Sequence, residues 1–121
     1  MHMTTQEIAD KLVAYCKAGD YKACYAELYS PQVQSLEPDG TSCNGLEEMA
    51  VKGKEWNDNI EEFNGSSVGD AVVAGNFFSI PMSMNVKFKN APAAVDFHEI
   101  CVYQVKDGKV VKEQFFYDQM H

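Results

Sequence analysis

Two glutamates, Glu99 and Glu113, stand in the most strand-like part of this chain, each among alternating apolar neighbours. If both turn inward, they place two acids on neighbouring strands of a hollow lined by Phe and Met. Burial and mutual repulsion would raise at least one of their pKa values and create an acid/base candidate; a register turning both outward would leave them solvated. His98 and Asp118 are further titratable groups on the same stretch. Tyr15, Tyr25, Tyr29, Tyr103 and Tyr117 offer hydroxyls that either orient a polar ligand atom or fill core space. Met82 and Met84, with Met49 and Trp56, suit an adaptable apolar wall or equally a plain core. Three scattered histidines make no ligand set, so neither a metal nor an organic cofactor is expected.

Composition narrows the classes. The net charge is −8 and all ten basic residues are Lys, with no Arg to grip phosphate or carboxylate in a rigid fork. Nucleic acid and phosphorylated ligands are therefore disfavoured. Cys16, Cys24, Cys43 and Cys101 match no zinc spacing and read as thiols in a reducing cytosol. No apolar run is long enough for a bilayer, and the first residues lack the basic and apolar regions of a signal peptide. A single cytoplasmic domain spanning residues 1–121 is expected.

Three helices and then a run of strands must position these groups. Thr4 with Glu7 forms a capping-box pattern ahead of the stripe Ile8, Leu12, Tyr15 and Cys16. Gly19 supplies a left-handed stop, Asp20 caps a second helix, and Pro31 ends that helix near Ser30. Val33 to Glu37 is a short strand. Asn44 with Glu47 predicts the third helix, burying Leu46, Met49, Ala50, Gly53 and Trp56, with Gly53 marking a close backbone approach. From Ile60 the period falls to two. In the run from Val72 to Val86, Val72, Ala74, Phe78, Ile80, Met82, Met84 and Val86 hold even positions, Asn76 is the polar exception, and Pro81 demands a bulge or an edge. Asp107-Gly108 closes a hairpin of two long strands. This order predicts an α+β domain with helices gathered on one face of a curved, mainly antiparallel sheet.

In that order and spacing, Ala18-Gly19-Asp20, Leu28-Tyr29, Glu37-Pro38-Asp39-Gly40, the helix start after Asn44-Gly45 and Asp107-Gly108-Lys109-Val110-Val111 resemble the NTF2-like superfamily. The likeness is to its SnoaL-like and ketosteroid isomerase-like branch. It implies a cone-shaped fold, a pocket for a small apolar molecule lined by helix and inner sheet residues, and a homodimer packed through the outer sheet face. Glu37 falls where ketosteroid isomerase keeps its proton-moving carboxylate. That enzyme's oxyanion donors do not carry over, because Leu12 and Cys101 stand near their places. The Asp-Arg-Asp set of limonene epoxide hydrolase is impossible without Arg. SnoaL-type cyclases place an acid/base aspartate at the end of the last strand, where Asp118 is similar in position, with His98 as its partner.

The turn decides which groups meet. A two-residue loop pairs Val105 with Val110 and separates His98 from Asp118. A three-residue loop with Gly108 as bulge residue pairs Val105 with Lys109. His98 and Asp118 then share the outer face, while Phe97, Glu99, Cys101, Tyr103, Glu113, Phe115 and Tyr117 line the pocket. The resemblance favours the second. Two functions follow from the same hollow: a cofactor-independent isomerase, cyclase or dehydratase acting on an apolar carbonyl compound with Glu37 as proton acceptor, or a non-catalytic module for ligand binding or dimerisation.

Overall fold

The computed structural model describes residues 2–118. Helix α1, Thr5–Ala18, opens on a complete capping box, in which Glu7 N–H donates to Thr4 Oγ1 at 3.1 Å and Thr4 N–H to Glu7 Oε1 at 3.0 Å. It closes on Gly19 at φ 70°, and Asp20 accepts from Ala23 N–H at 3.2 Å to start α2, Tyr21–Leu28. Strand β1, Tyr29–Leu36, follows without a break and is longer than the sequence predicts. Its register shifts between Tyr29 and Gln34, the interval that contains the donor-less Pro31. β2 is Ser42–Asn44 and α3 is Leu46–Asp58. The strands β3 (Ile60–Val68), β4 (Val72–Ala74), β5 (Phe77–Phe88), β6 (Val95–Lys106) and β7 (Lys109–Phe116) complete the chain.

The sheet runs β2-β1-β7-β6-β5-β3, with β4 beside β3 on the β5 edge. All its pairings are antiparallel except β1 with β7. This α+β architecture, three helices on one face of a mostly antiparallel sheet, is the one the sequence predicts.

Several local expectations are corrected. Val72 to Val86 is not one strand: Gly75, at φ 59°, and Asn76 turn it into a hairpin, so Val73 pairs with inward Phe78 and Val72 lies outside, 67% exposed. Pro81 is neither bulged nor at an edge. Its backbone faces the gap between β4 and β3, where Gly69 N–H donates to its carbonyl at 2.8 Å. The cap of α3 is Gly45 without a side-chain bond, and the Asn44 N–H instead donates to Glu48 Oε1 at 3.1 Å. Only Met49 of the predicted α3 stripe is buried; Ala50 and Gly53 face open solvent, and Gly53 has no close neighbour.

The closing hairpin combines both devices that the sequence left open. Asp107 (φ 52°) and Gly108 (φ 75°) make a two-residue turn of the type that suits strand twist, and Val105 pairs with Val110. The register then slips by one residue, so that Gln104 pairs with Lys112 and Tyr103 with Glu113. That slip restores the parity of the three-residue loop by another route.

Candidate active site

The concave side of the sheet has two unlike halves. In the narrow half, α1 and α2 press Ile8, Leu12, Cys16, Cys24 and Leu28 onto Val33, Phe78, Ile80, Cys101, Tyr103, Val105 and Val110, and the space is solid core. The expected hollow beneath all three helices is therefore absent there. In the wide half only α3 overhangs the sheet, and inward-facing Met82, Met84, Glu99, Phe115 and Tyr117 remain half-buried. Trp56, 36% exposed, sets its ring against Phe88 at 5.2 Å and Phe97 at 5.9 Å, and Phe97 meets Tyr117 at 4.8 Å. This aromatic wall forms because α3 carries Met49, Lys52 and Trp56 at three- and four-residue steps on one side.

Three carboxylates face this region. Glu37, just beyond the end of β1, accepts from the Tyr117 hydroxyl at 2.6 Å and pairs with the Lys52 ammonium. Its side chain is only 16% exposed. Lys52 also stands 5.3 Å from the centre of the Phe115 ring. Among the described residues Glu99 forms no ion pair, and Lys52 acts on it only at longer range. Burial pushes its carboxyl up to about 7, against the Cys101 thiol that donates to it at 3.4 Å, with the charges of Glu37 and Glu113 adding to the rise.

Glu113 lies deepest, 4% exposed, and accepts from Tyr29 Oη at 2.6 Å and Ser35 Oγ at 2.9 Å. Burial raises its pKa, while those two hydrogen bonds and the charge of Lys52 pull it back. The Tyr117 hydroxyl is raised by burial and by its bond to Glu37. Burial also lifts Cys101, Tyr29 and Tyr103, which keep their protons in the core.

The remaining sequence candidates lie elsewhere. Tyr15 spends its hydroxyl on Glu27 at 3.1 Å, between α1 and α2. Cys101 and Tyr103 are sealed in the core beneath Glu99. His98 and Asp118 are exposed on the outer face, separated by the sheet from Glu37. There they border a depression of ≈ 550 Å³ with Ser83, Ile100 and Phe116. A second depression of ≈ 420 Å³ opens between α3 and the segment after β1, against Glu37, Cys43, Glu48 and Lys52. Sequence reasoning overlooked Lys52 and Ser35. The helical spacing of Lys52 between Met49 and Trp56 was the available signal for the first; nothing local marked the second.

A family model described as a SnoaL-like domain matches residues 3–117. The chain belongs to the SnoaL-like family. A solved Mesorhizobium loti structure named for the SnoaL-like polyketide cyclases is 29% identical to this SnoaL-like domain. It superposes with a TM-score of 0.88 over 95% of this chain and 100% of that one. A Jannaschia structure named likewise is 15% identical, with a TM-score of 0.76 over 94% and 85% of the two chains. A Catenulispora acidiphila protein with a ketosteroid isomerase-like fold, solved with trimethylamine, is 18% identical, with a TM-score of 0.73 over 95% and 88%. The last two show the fold alone. No curated protein matches the chain.

Proposed function

We propose that this SnoaL-like domain is a cofactor-independent acid/base enzyme that moves a proton on a small, largely apolar carbonyl compound, as an isomerase, cyclase or dehydratase does. One observation carries the reading: Glu37 and Glu99 address the same half-open aromatic wall with opposite surroundings. Glu37 is bound by an ammonium and a phenol, which suits a proton acceptor. Glu99 is lifted to about 7 by burial and so keeps a proton at neutral pH in a substantial fraction of molecules, which suits a donor. Tyr117 holds Glu37 through its hydroxyl and packs its ring against Phe97 of the wall. The polyketide cyclase part of the Mesorhizobium loti structure's name accords with this reading, while the same name also carries a carbohydrate phosphatase label. His98 and Asp118 take no part in this scheme, because the outer face gives them no access to Glu37.

Screening cyclic ketones and enones for turnover, and then repeating any hit with Glu37→Gln, tests the proposal. Turnover is expected to fall by about a hundredfold or more; an unchanged rate would remove Glu37 from the mechanism.

A second reading has its own support. Ile100 (51% exposed) and Phe116 (48%) leave an apolar patch on the outer sheet face, which suits the homodimer implied by the family resemblance. Dimerisation is compatible with catalysis and does not require it. A cytoplasmic setting accords with the free thiols Cys16, Cys24, Cys43 and Cys101, and among the described residues no helix is long and apolar enough to cross a membrane.

A further inference from the structure

Taking a proton from carbon leaves negative charge on the carbonyl oxygen, and stabilising that charge is usually the largest catalytic contribution. Leu12 and Cys101 give none of the donors that ketosteroid isomerases use, and both are buried in the core. Helix α3 offers a different group. Lys52 pairs with Glu37, lies over the inward Phe115 ring at 5.3 Å, and exerts its charge on both Glu99 and Glu113. Lys11, Lys54 and Lys87 pair with Glu27, Asp58 and Glu61 instead. Among the described residues, no other lysine forms an ion pair with any of the three inward carboxylates.

We infer that Lys52 is the electrophilic residue of this site, passing its ammonium from Glu37 to the anionic oxygen of an enolate-like ligand as the proton moves. The inference rests on the acid/base reading above. In the step, the ligand C–H bond breaks and its proton joins a Glu37 oxygen. The bonding pair becomes a C=C bond, and the carbonyl π pair settles on oxygen, so no oxidant or co-reactant is needed. Before the step, Glu37 neutralises Lys52. Afterwards Glu37 is neutral and the ammonium has lost its counter-charge just as the ligand oxygen acquires one. The ion pair changes owner at constant net charge, which avoids creating an isolated charge in a partly dry site. Glu48 and Glu55, at the neighbouring depression, and Glu99 and Glu113 across the wall face the same ammonium. With Glu37 still charged they leave little attraction for an anion, so the attraction emerges when Glu37 is neutral.

The probe is para-nitrophenol, whose phenolate mimics an enolate oxygen and absorbs visible light. At neutral pH, Glu37→Gln is expected to bind the phenolate at least about tenfold more tightly than the unaltered protein, with the phenolate band in the bound spectrum. Adding Lys52→Met to Glu37→Gln should remove that gain, whereas adding Lys52→Arg should keep most of it. Circular dichroism and melting confirm that each variant is folded, and the Arg variant supplies a folded comparison if the Met variant is not. Absence of the gain in Glu37→Gln, or a gain that survives Lys52→Met, overturns the role of Lys52. Hydrogen–deuterium exchange of cyclohexenone in heavy water reports the underlying reading separately. Glu37-dependent exchange that Lys52→Met leaves unchanged defeats the Lys52 inference alone, whereas loss of most of that exchange supports it.

Discussion

Glu99 is a carboxylic acid whose folded pKa, about 7, exceeds its ordinary value chiefly because it is buried. The folded state therefore binds this proton more tightly than the unfolded state does. The associated stability is fully present below the unfolded value and is lost as pH rises towards 7. Buried Glu113, also raised, contributes with the same sign. Glu99→Gln is expected to flatten the decline in melting temperature between pH ~4.5 and ~7 and to make the protein more stable than wild type above neutrality, on the order of 1–2 kcal/mol. Melting curves across that range check it; a wild-type stability that rises with pH through the same window would contradict it. Strand alternation made Glu99 and Glu113 legible as candidates, while the hairpin register left open which way each faces. The Glu37–Lys52 pair was not legible, since it joins a loop residue to a helix residue through tertiary packing that no local pattern encodes.

At the scale of elements, two glycines give opposite expectations. A Cβ on Gly69 would lie 2.6 Å from Pro81 Cγ, where the chain crosses the gap between β4 and β3. Gly69→Ala should destabilise the domain by about 1–3 kcal/mol. Gly53 has nothing near it, in mid-helix, so Gly53→Ala should stabilise by up to about 1 kcal/mol. Chemical denaturation of both variants decides, and equal effects of one sign would be the contrary result. The sequence pattern marked Gly53 for close packing. It erred because helical spacing locates a face without saying whether anything lies against it. Here α3 is held through Met49 and Trp56, leaving Gly53 open. Capping and hairpin signals fared better at Thr4, Gly19 and Asp107-Gly108, where the deciding chemistry lies within a few residues. The slip after Val110 that sets the facing of Glu113 was beyond such local reach.

At the scale of the whole molecule, the change of period at Ile60 made the α+β order readable, but not the relative coverage of the two halves of the concave side. The outer face offers Ile100, Phe116 and half-buried Val102 and Leu36 on adjacent strands. Sedimentation is expected to give a dimer, and Phe116→Lys to weaken its association by about tenfold or more. A wild-type monomer at micromolar concentration would count against it.

The parallel join of β1 to β7 has a consequence for synthesis. Ser35 and Glu113, bonded across it, are 78 positions apart in sequence. During synthesis β1 therefore waits with one edge bare until β7 has emerged, and the acid that closes the interior arrives with that strand. The pairing that completes the sheet thus waits for β7, and nascent chains stalled before β7 should be protease-sensitive throughout.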